Sequence, residues 1–183
     1  MNSMRPKKTM EELNRVDANT YKKKEKLPII VALDDIRSMN NVGAVFRTSD
    51  AFLVEKVYLG GITPCPPHRD IHKTALGAEL SVEWEKTTHL KSSLLMLKEK
   101  GYQIISVEQC KNSVDFSTDE AMSSIADKVV IVMGNEVKGV DQEIIDISDL
   151  VIELPQEGTK HSLNVSVSYG IVIYNLFTKF RAR

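Results

Sequence analysis

Residues 128–139 read Lys128-Val129-Val130-Ile131-Val132-Met133-Gly134-Asn135-Glu136-Val137-Lys138-Gly139, an apolar run that leads directly into a polar loop between two glycines. A strand that is apolar on both of its faces is typical of a parallel sheet with helices on each side. Outward from this stretch, similar short apolar runs predict strands at 29–33, 56–59, 82–84, 102–107 and 150–154. Helical patterns alternate with them at 42–52, 88–100, 139–147 and 163–181. The sequence therefore predicts an α/β fold with a mostly parallel sheet covered by helices on both faces.

The charge of the chain is distributed unevenly. The first 26 residues carry eight basic and four acidic side chains, a net charge of +4, whereas the other 157 residues carry 16 basic and 21 acidic ones, a net charge of −5. We expect a basic N-terminal arm over residues 1–26 and one folded domain over residues 27–183, a layout that suits an anionic partner. Thr9-Met10-Glu11-Glu12 spells a capping box, which predicts a short arm helix over residues 10–19.

Several classes of protein lose support from the sequence. The two cysteines, Cys65 and Cys110, lack the spacing of a zinc site or a disulfide framework, and no segment resembles a signal peptide or an apolar membrane span. We expect a cytoplasmic protein without a membrane segment. GxGxxG, GxxxxGK[ST] and GxSxG are absent, which disfavours Rossmann dehydrogenases, P-loop NTPases and α/β-hydrolases.

The polar, proline-containing segment 63–73 is predicted to be a loop. His68 and His72 have a spacing that could hold a metal on a helix, but Arg69 and Lys73 stand beside them and would repel a cation. We expect no metal site there, and a basic loop that is solvated or faces RNA.

Three polar segments follow predicted strands at the edge where open α/β sheets bind ligands. They are residues 40–47, 133–139 and 154–166. Taken singly, each permits an ordinary interpretation, because Asn41, Ser162 and Asn164 are good helix caps and a carboxylate such as that of Glu136 is common at a helix start. Three such segments after three strands favour a ligand site.

Together these segments resemble motifs 1, 2 and 3 of the SpoU (TrmH-type) RNA ribose 2′-O-methyltransferases, within the SPOUT class. The match is NxGxxxR at 41–47, GxExxG at 134–139 and PxxGxxxSLNVSVS at 155–168, and the resemblance covers residues 28 to about 180. Residues 101–168 also look similar to enzymes that methylate guanosine 18 of tRNA. The resemblance implies a SPOUT methyltransferase domain with a C-terminal trefoil knot, in which the second and third loops thread through one another.

The resemblance also implies a cofactor and its site. S-adenosyl-L-methionine would be the methyl donor and a ribose 2′-hydroxyl the acceptor. Gly134, Leu154 and Leu163 would bind the cofactor mainly through backbone groups, while Asn135 and Gly139 would shape the loop. The catalytic constellation would consist of Arg47, Asn41, Glu136, Ser162 and Asn164.

Arg47 is expected beside the reacting ribose. Family analogy makes it a base, but a guanidinium with a pKa above about 12 is a poor base, so we favour an electrostatic clamp on a phosphate and the developing alkoxide. The partners implied are RNA, with tRNA favoured over rRNA, and a second copy of the chain bound through the apolar C-terminal helix. Four alternatives remain: an rRNA enzyme of the same family, a base-methylating SPOUT enzyme, a catalytically silent RNA-binding or ribosome-assembly protein, and a flavodoxin-type small-molecule binder.

Overall fold

A seven-stranded sheet forms the centre of the computed structural model, which describes residues 5–9 and 11–181. Its strands are β1 (Leu27–Asp34), β2 (Val54–Gly60), β3 (Glu83–Thr87), β4 (Gln103–Val107), β5 (Val114–Asp115), β6 (Val129–Met133) and β7 (Leu150–Glu153). They lie in the order β3-β2-β1-β6-β4-β7-β5, and each neighbouring pair is parallel. The predicted α/β fold with a parallel sheet is confirmed, and only the two-residue β5 was not predicted.

Helices cover both faces of this sheet. They are α1 (Ala18–Lys23), α2 (Met39–Ala51), α3 (Arg69–Ala75), α4 (Ala78–Ser81), α5 (Leu90–Glu99), α6 (Asp119–Ser123), α7 (Gln142–Ile145) and α8 (Val165–Arg181). α5 and α7 contribute buried side chains to one core, and the other six helices contribute to the core on the opposite face. No helix among residues 5–9 and 11–181 has the length and apolar character needed to cross a bilayer.

The two central strands explain why the sequence chooses this arrangement. Val31 of β1 lies in register with Ile131 of β6, and both side chains are fully buried. Neighbouring residues alternate between the two cores, so every position of β6 is apolar. Complete burial of one Val or Ile side chain contributes roughly 1.5–3 kcal/mol. A charge at Ile131 would therefore be unpaired in the buried centre of the sheet and would oppose folding.

The arm differs from its prediction. The capping box forms, because the Thr9 N–H donates to Glu12 Oε2 at 2.7 Å and the Glu12 N–H to Thr9 Oγ1 at 3.3 Å, but the turn ends at Asn14, whose φ is 47°. The helix predicted over 10–19 is therefore wrong in position, although Met10 lies outside the described residues. The helix instead begins at Ala18, with Asp17 as its cap.

Tyr21 attaches this helix to the domain. Its side chain is 5% exposed and packs in the core formed with α2 and α8. The division at residue 26 stays a prediction, but the last part of the arm is docked.

Other boundaries also differ. The helix predicted at 42–52 begins at Met39, and its cap is Ser38 rather than Asn41. The expected loop 63–73 becomes helical at Arg69, where His68 Nδ1 accepts the Asp70 N–H at 3.1 Å. The helix predicted at 139–147 shortens to α7, because Gly139 pairs back with Asn135 to close the preceding loop and Asp141 caps the helix. α8 begins two residues later than predicted, and α4 and α6 were not predicted.

The strand order brings together the loops that the resemblance implies to be knotted. β4 lies between β6 and β7, and the chain leaves β7 to reach α8, which packs on α2 near β1 and β2. Threading of one loop through the other stays a prediction.

Candidate active site at the carboxyl edge of the sheet

A cleft of about 490 Å³ opens where β4, β6 and β7 end. Residues 107–109, 133–139, 153–154 and 161–165 line it, together with Gln156 and Ser168. Eight of the ten residues expected in the site are among them: Gly134, Asn135, Glu136, Gly139, Leu154, Ser162, Leu163 and Asn164. The parallel sheet achieves this because the carboxyl ends of parallel strands meet at one edge.

The loop at 134–139 is closed by its own hydrogen bonds. The backbone N–H groups of Asn135 and Gly139 each donate to the other residue's carbonyl at 2.9 Å. Asn135 Oδ1 accepts the N–H groups of Val137 and Lys138 at 2.9 and 3.0 Å, and Nδ2 donates to the Asp35 carbonyl at 2.6 Å. The side chain of Asn135 therefore helps to hold the loop in this conformation.

The two glycines of this loop are needed for close packing. A Cβ on Gly134 would lie 2.2 Å from the backbone carbon of Gly139. The backbone at Gly139 could not move away without a change in the conformation of the loop. Gly139 has a φ of +74°, and a Cβ there would lie 2.1 Å from Glu108 Oε2. Gly134 is therefore required for space alone, whereas Gly139 is required both for space and for a left-handed backbone conformation that glycine adopts at little cost.

Glu136 joins two of the sequence motifs. Its Oε2 accepts the Arg37 N–H at 2.9 Å, and its Oε1 accepts the Ser38 N–H at 3.1 Å and Asn41 Nδ2 at 2.9 Å. Burial would raise the pKa of Glu136, but the hydrogen bonds from Arg37, Asn41 and Ser38 outweigh it, and the pKa is lowered below the ordinary carboxyl value. Glu136 is therefore an ionised acceptor at neutral pH.

The third motif joins the same network through Asn164. Asn164 Nδ2 donates to Asn41 Oδ1 at 3.1 Å, while Asn164 Oδ1 accepts the N–H and the hydroxyl of Ser166 at 2.9 and 2.6 Å. Asn164 thereby caps α8 and holds Asn41, which is 9% exposed, from the side opposite Glu136. Side chains from all three segments are linked by direct hydrogen bonds.

Arg47 lies outside this cleft. It is exposed on α2 and is not among the residues that line the cavity. Six positions separate it from Asn41, about 9 Å along the axis and on another side of the helix. Its place beside the ribose stays a prediction.

Some residues that build the site were missed from the sequence. Gly43 was quoted only as part of a motif, but a Cβ there would lie 2.1 Å from Thr74 Oγ1 and 2.3 Å from the Ile71 carbonyl, so it lets α2 approach α3. Asp34 Oδ2 accepts the Asp141 N–H at 2.8 Å, and burial raises the pKa of this carboxyl. Glu108 Oε2 accepts the Val140 N–H at 2.9 Å. For Asp34 and Glu108, the sequence feature that could have indicated this role is an acidic residue at the end of an apolar strand.

The two histidines considered for a metal have other partners. His68 caps α3, and His72 Nδ1 lies 2.5 Å from Glu79 Oε1. No group of three or more His, Cys, Asp or Glu side chains suited to a metal ion occurs in the described part of the chain.

Known proteins resemble this chain in sequence and in fold. A family model, the SpoU rRNA Methylase family, matches residues 28–174. The tRNA (guanosine(18)-2′-O)-methyltransferase of Aquifex aeolicus is 32% identical over 157 residues, which are 82% of this chain and 69% of that protein. The chain spans 62–66% of the length of other curated relatives that it matches.

Solved structures share the architecture. The A. aeolicus TrmH/SpoU tRNA modifying enzyme superimposes with a TM-score of 0.78 at 30% identity, over 90% of this chain and 81% of that one. The AdoMet-bound rRNA methyltransferase from Sinorhizobium meliloti superimposes with a TM-score of 0.71 at 24% identity, over 84% of this chain and 58% of that one. The second likeness concerns the fold alone.

Proposed function

The chain belongs to the SpoU rRNA methylase family, and from this premise we propose that it transfers a methyl group from S-adenosylmethionine to a ribose 2′-hydroxyl of RNA. The observation that carries the proposal is the hydrogen-bonded series Glu136–Asn41–Asn164, which links the three motifs at the mouth of one cleft. A protein that only bound RNA would not need to hold side chains of all three motifs in contact.

The cleft suits a nucleoside-sized cofactor. Its volume of about 490 Å³ falls within the usual 300–1,000 Å³ of small-molecule sites. Backbone groups of Gly134, Leu154 and Leu163 would hold the cofactor, and the absence of a side chain at Gly134 lets its backbone approach closely. The bound sulfonium supplies an electrophilic methyl group, so the protein has to align the acceptor hydroxyl and assist its deprotonation.

We assign positioning roles, rather than proton transfer, to Glu136 and Asn41. The ionised carboxylate already accepts three donors, so we assign it to fixing the start of α2 and the amide of Asn41 rather than to taking the substrate proton. Ser162 is exposed at the cleft and is available to hydrogen-bond the ribose. Arg47 would stabilise the phosphate and the developing alkoxide as a clamp.

A homodimer explains the position of Arg47. Val167, Ile171 and Tyr174 form an apolar stripe on the outer side of α8, with exposed fractions of 51, 40 and 56%. The inner side is buried against the core and α2, where Tyr169 OH lies 2.8 Å from Ser49 Oγ. We propose that two copies meet through this stripe and that Arg47, carried by α2, serves the partner subunit's cleft. Light scattering should give twice the 20.5 kDa chain mass, and a monomer at micromolar concentration would refute the dimer.

The proposed substrate is tRNA, on the strength of the Aquifex relative and of the basic arm, in a cytoplasmic setting where Cys65 and Cys110 would stay reduced. The test is mass mapping of ribose methylation in tRNA and rRNA from cells with and without the protein. Loss of one 2′-O-methyl group from tRNA is the expected result. Loss from rRNA instead would select the rRNA alternative, and unchanged methylation in both would refute the proposed function.

A further inference from the structure

Glu108 lies at the end of β4, outside all three segments that match the family motifs, and it lines the cleft. Its Oε2 accepts the Val140 N–H at 2.9 Å, and its Oε1 accepts the Gln109 N–H at 2.8 Å. Both oxygens therefore act as acceptors, whereas an amide in the same place would offer one acceptor oxygen and one donor nitrogen.

The Glu108 carboxylate also packs against Gly139. The Cβ that a larger residue would place there comes 2.1 Å from Oε2. Gly139 closes the loop by its paired hydrogen bonds with Asn135, so the contact reaches the backbone that faces the cleft. Val140 is 5% exposed, and its N–H would be costly to leave without an acceptor.

The other side of the loop is held independently. Asp34 accepts the Asp141 N–H at 2.8 Å, and the Asp35 carbonyl accepts Asn135 Nδ2 at 2.6 Å, both from the end of β1. The loop at 134–141 is thus fastened to β1 on one side and to β4, by Glu108, on the other.

We propose that Glu108 is a positioning residue for the cofactor. Its carboxylate fixes the Gly139–Val140 peptide, and through it the backbone groups of Gly134 to Gly139 that form one wall of the cleft. This inference rests on the proposed function, because it takes S-adenosylmethionine as the occupant of the cleft. A merely structural carboxylate would affect the stability of the fold without a particular effect on cofactor binding.

Asp149 supplies a matched control. Its Oδ2 accepts the Ile104 N–H at 2.8 Å, a bond of the same kind to the same strand β4, at the end remote from the cleft. Both substitutions to alanine remove a carboxylate that accepts a backbone N–H, so both should lower the melting temperature. Only the change at Glu108 should alter the cleft.

The test is calorimetric titration of the full chain with S-adenosylmethionine, together with amide hydrogen exchange of the free protein. Glu108→Ala should weaken binding about tenfold or more and accelerate exchange at Val140 and residues 134–139. Glu108→Gln keeps one acceptor oxygen and should give an intermediate affinity. It also provides a measurement if the alanine variant fails to fold. Asp149→Ala should bind like wild type.

The outcomes separate the two proposals. Wild type that binds S-adenosylmethionine, with Glu108→Ala and Glu108→Gln binding equally well, would overturn the role of Glu108 alone. An equal loss of affinity in Asp149→Ala would overturn it too, since the effect would be one of general stability. Folded wild-type protein that does not bind the cofactor would overturn the proposed function and this inference with it.

Discussion

The two loops that face each other across the cleft are built in opposite ways. The loop at 134–139 is closed by internal hydrogen bonds and fastened from β1 and β4. The loop at 155–163 is exposed throughout, and its residues 155–160 make no hydrogen bond with the part of the chain that the structure describes. One wall of the cleft is thus preformed, and the other has few contacts of its own to fix it.

This difference suggests a division of labour. A preformed wall costs little conformational entropy when a ligand binds, so it is suited to holding a cofactor in one orientation. An exposed loop that gains its contacts from a ligand is suited to closing over it. The same chemical change should therefore have unequal effects in the two loops.

The largest effect is expected from a methyl group added to each loop. Gly134→Ala should abolish measurable cofactor binding, because the new Cβ would collide with the backbone at Gly139 and Val140. Gly158→Ala, in the exposed loop, should leave binding within about twofold, because nothing lies within 4 Å of the added carbon. Titration with S-adenosylmethionine measures both, and equal effects would remove the contrast between the loops.

Substitution of Arg47 tests whether the methyl-transfer rate can change without a change in cofactor binding. Arg47→Ala should lower turnover by about 10²–10³ while leaving the Kd for S-adenosylmethionine unchanged, since Arg47 does not line the cleft of its own chain. Arg47→Lys should also be slow if the contact to the phosphate is bidentate. Single-turnover methylation gives the rate, and wild-type turnover in the alanine variant would exclude Arg47 from the reaction.

Hydrogen exchange compares the loops directly. Amides at 135 and 139 should already be protected in the free protein, and those at 156–160 should exchange freely until S-adenosylmethionine is added. Protection at 156–160 should then rise by roughly tenfold. Strong protection of these amides before any ligand is added would contradict the open wall.

The basic arm should affect RNA binding rather than either loop of the cofactor cleft. Deleting residues 1–24 would remove the buried Tyr21 as well as the lysines, so substitution is the cleaner change. Replacing Lys22, Lys23 and Lys24 with Gln should weaken RNA binding and lower its log–log salt slope by about 0.7–0.9 per lost phosphate contact. Lys100→Gln, at the end of α5 on the opposite face, is the control. An unchanged slope in the triple variant would assign RNA capture to other basic residues.

The smallest effect concerns the link between the motifs. Because the pKa of Glu136 is lowered in the fold, its carboxylate stabilises the protein above the ordinary carboxyl pKa, and this contribution is lost as pH falls through the folded value. Wild type should exceed Glu136→Gln in unfolding free energy by about 1 kcal/mol or less at pH 7. The difference should shrink below about pH 4.5, and a difference that grows on acidification would contradict the assignment.

The sequence was informative wherever a role depends on local pattern. The strands were predictable because Val129–Met133 and its neighbours are apolar on both faces, and the site segments because polar residues follow them. Glu108, Asp34 and Gly43 escaped because their roles depend on contacts with segments far along the chain, such as Val140 and Thr74. The start of α3 was hidden by Pro66 and Pro67, and the arm helix was misplaced because the capping box supports only one turn.

We propose that the three motifs form one site for methyl transfer to ribose. The most direct measurement incubates the purified chain with S-adenosylmethionine and unmodified tRNA, and then identifies the methylated nucleoside by mass spectrometry after digestion. We expect one 2′-O-methylated nucleoside, formed by wild type and almost absent with Arg47→Ala. A methyl group on a base, or no methylation of tRNA or rRNA by protein that binds the cofactor, would contradict it.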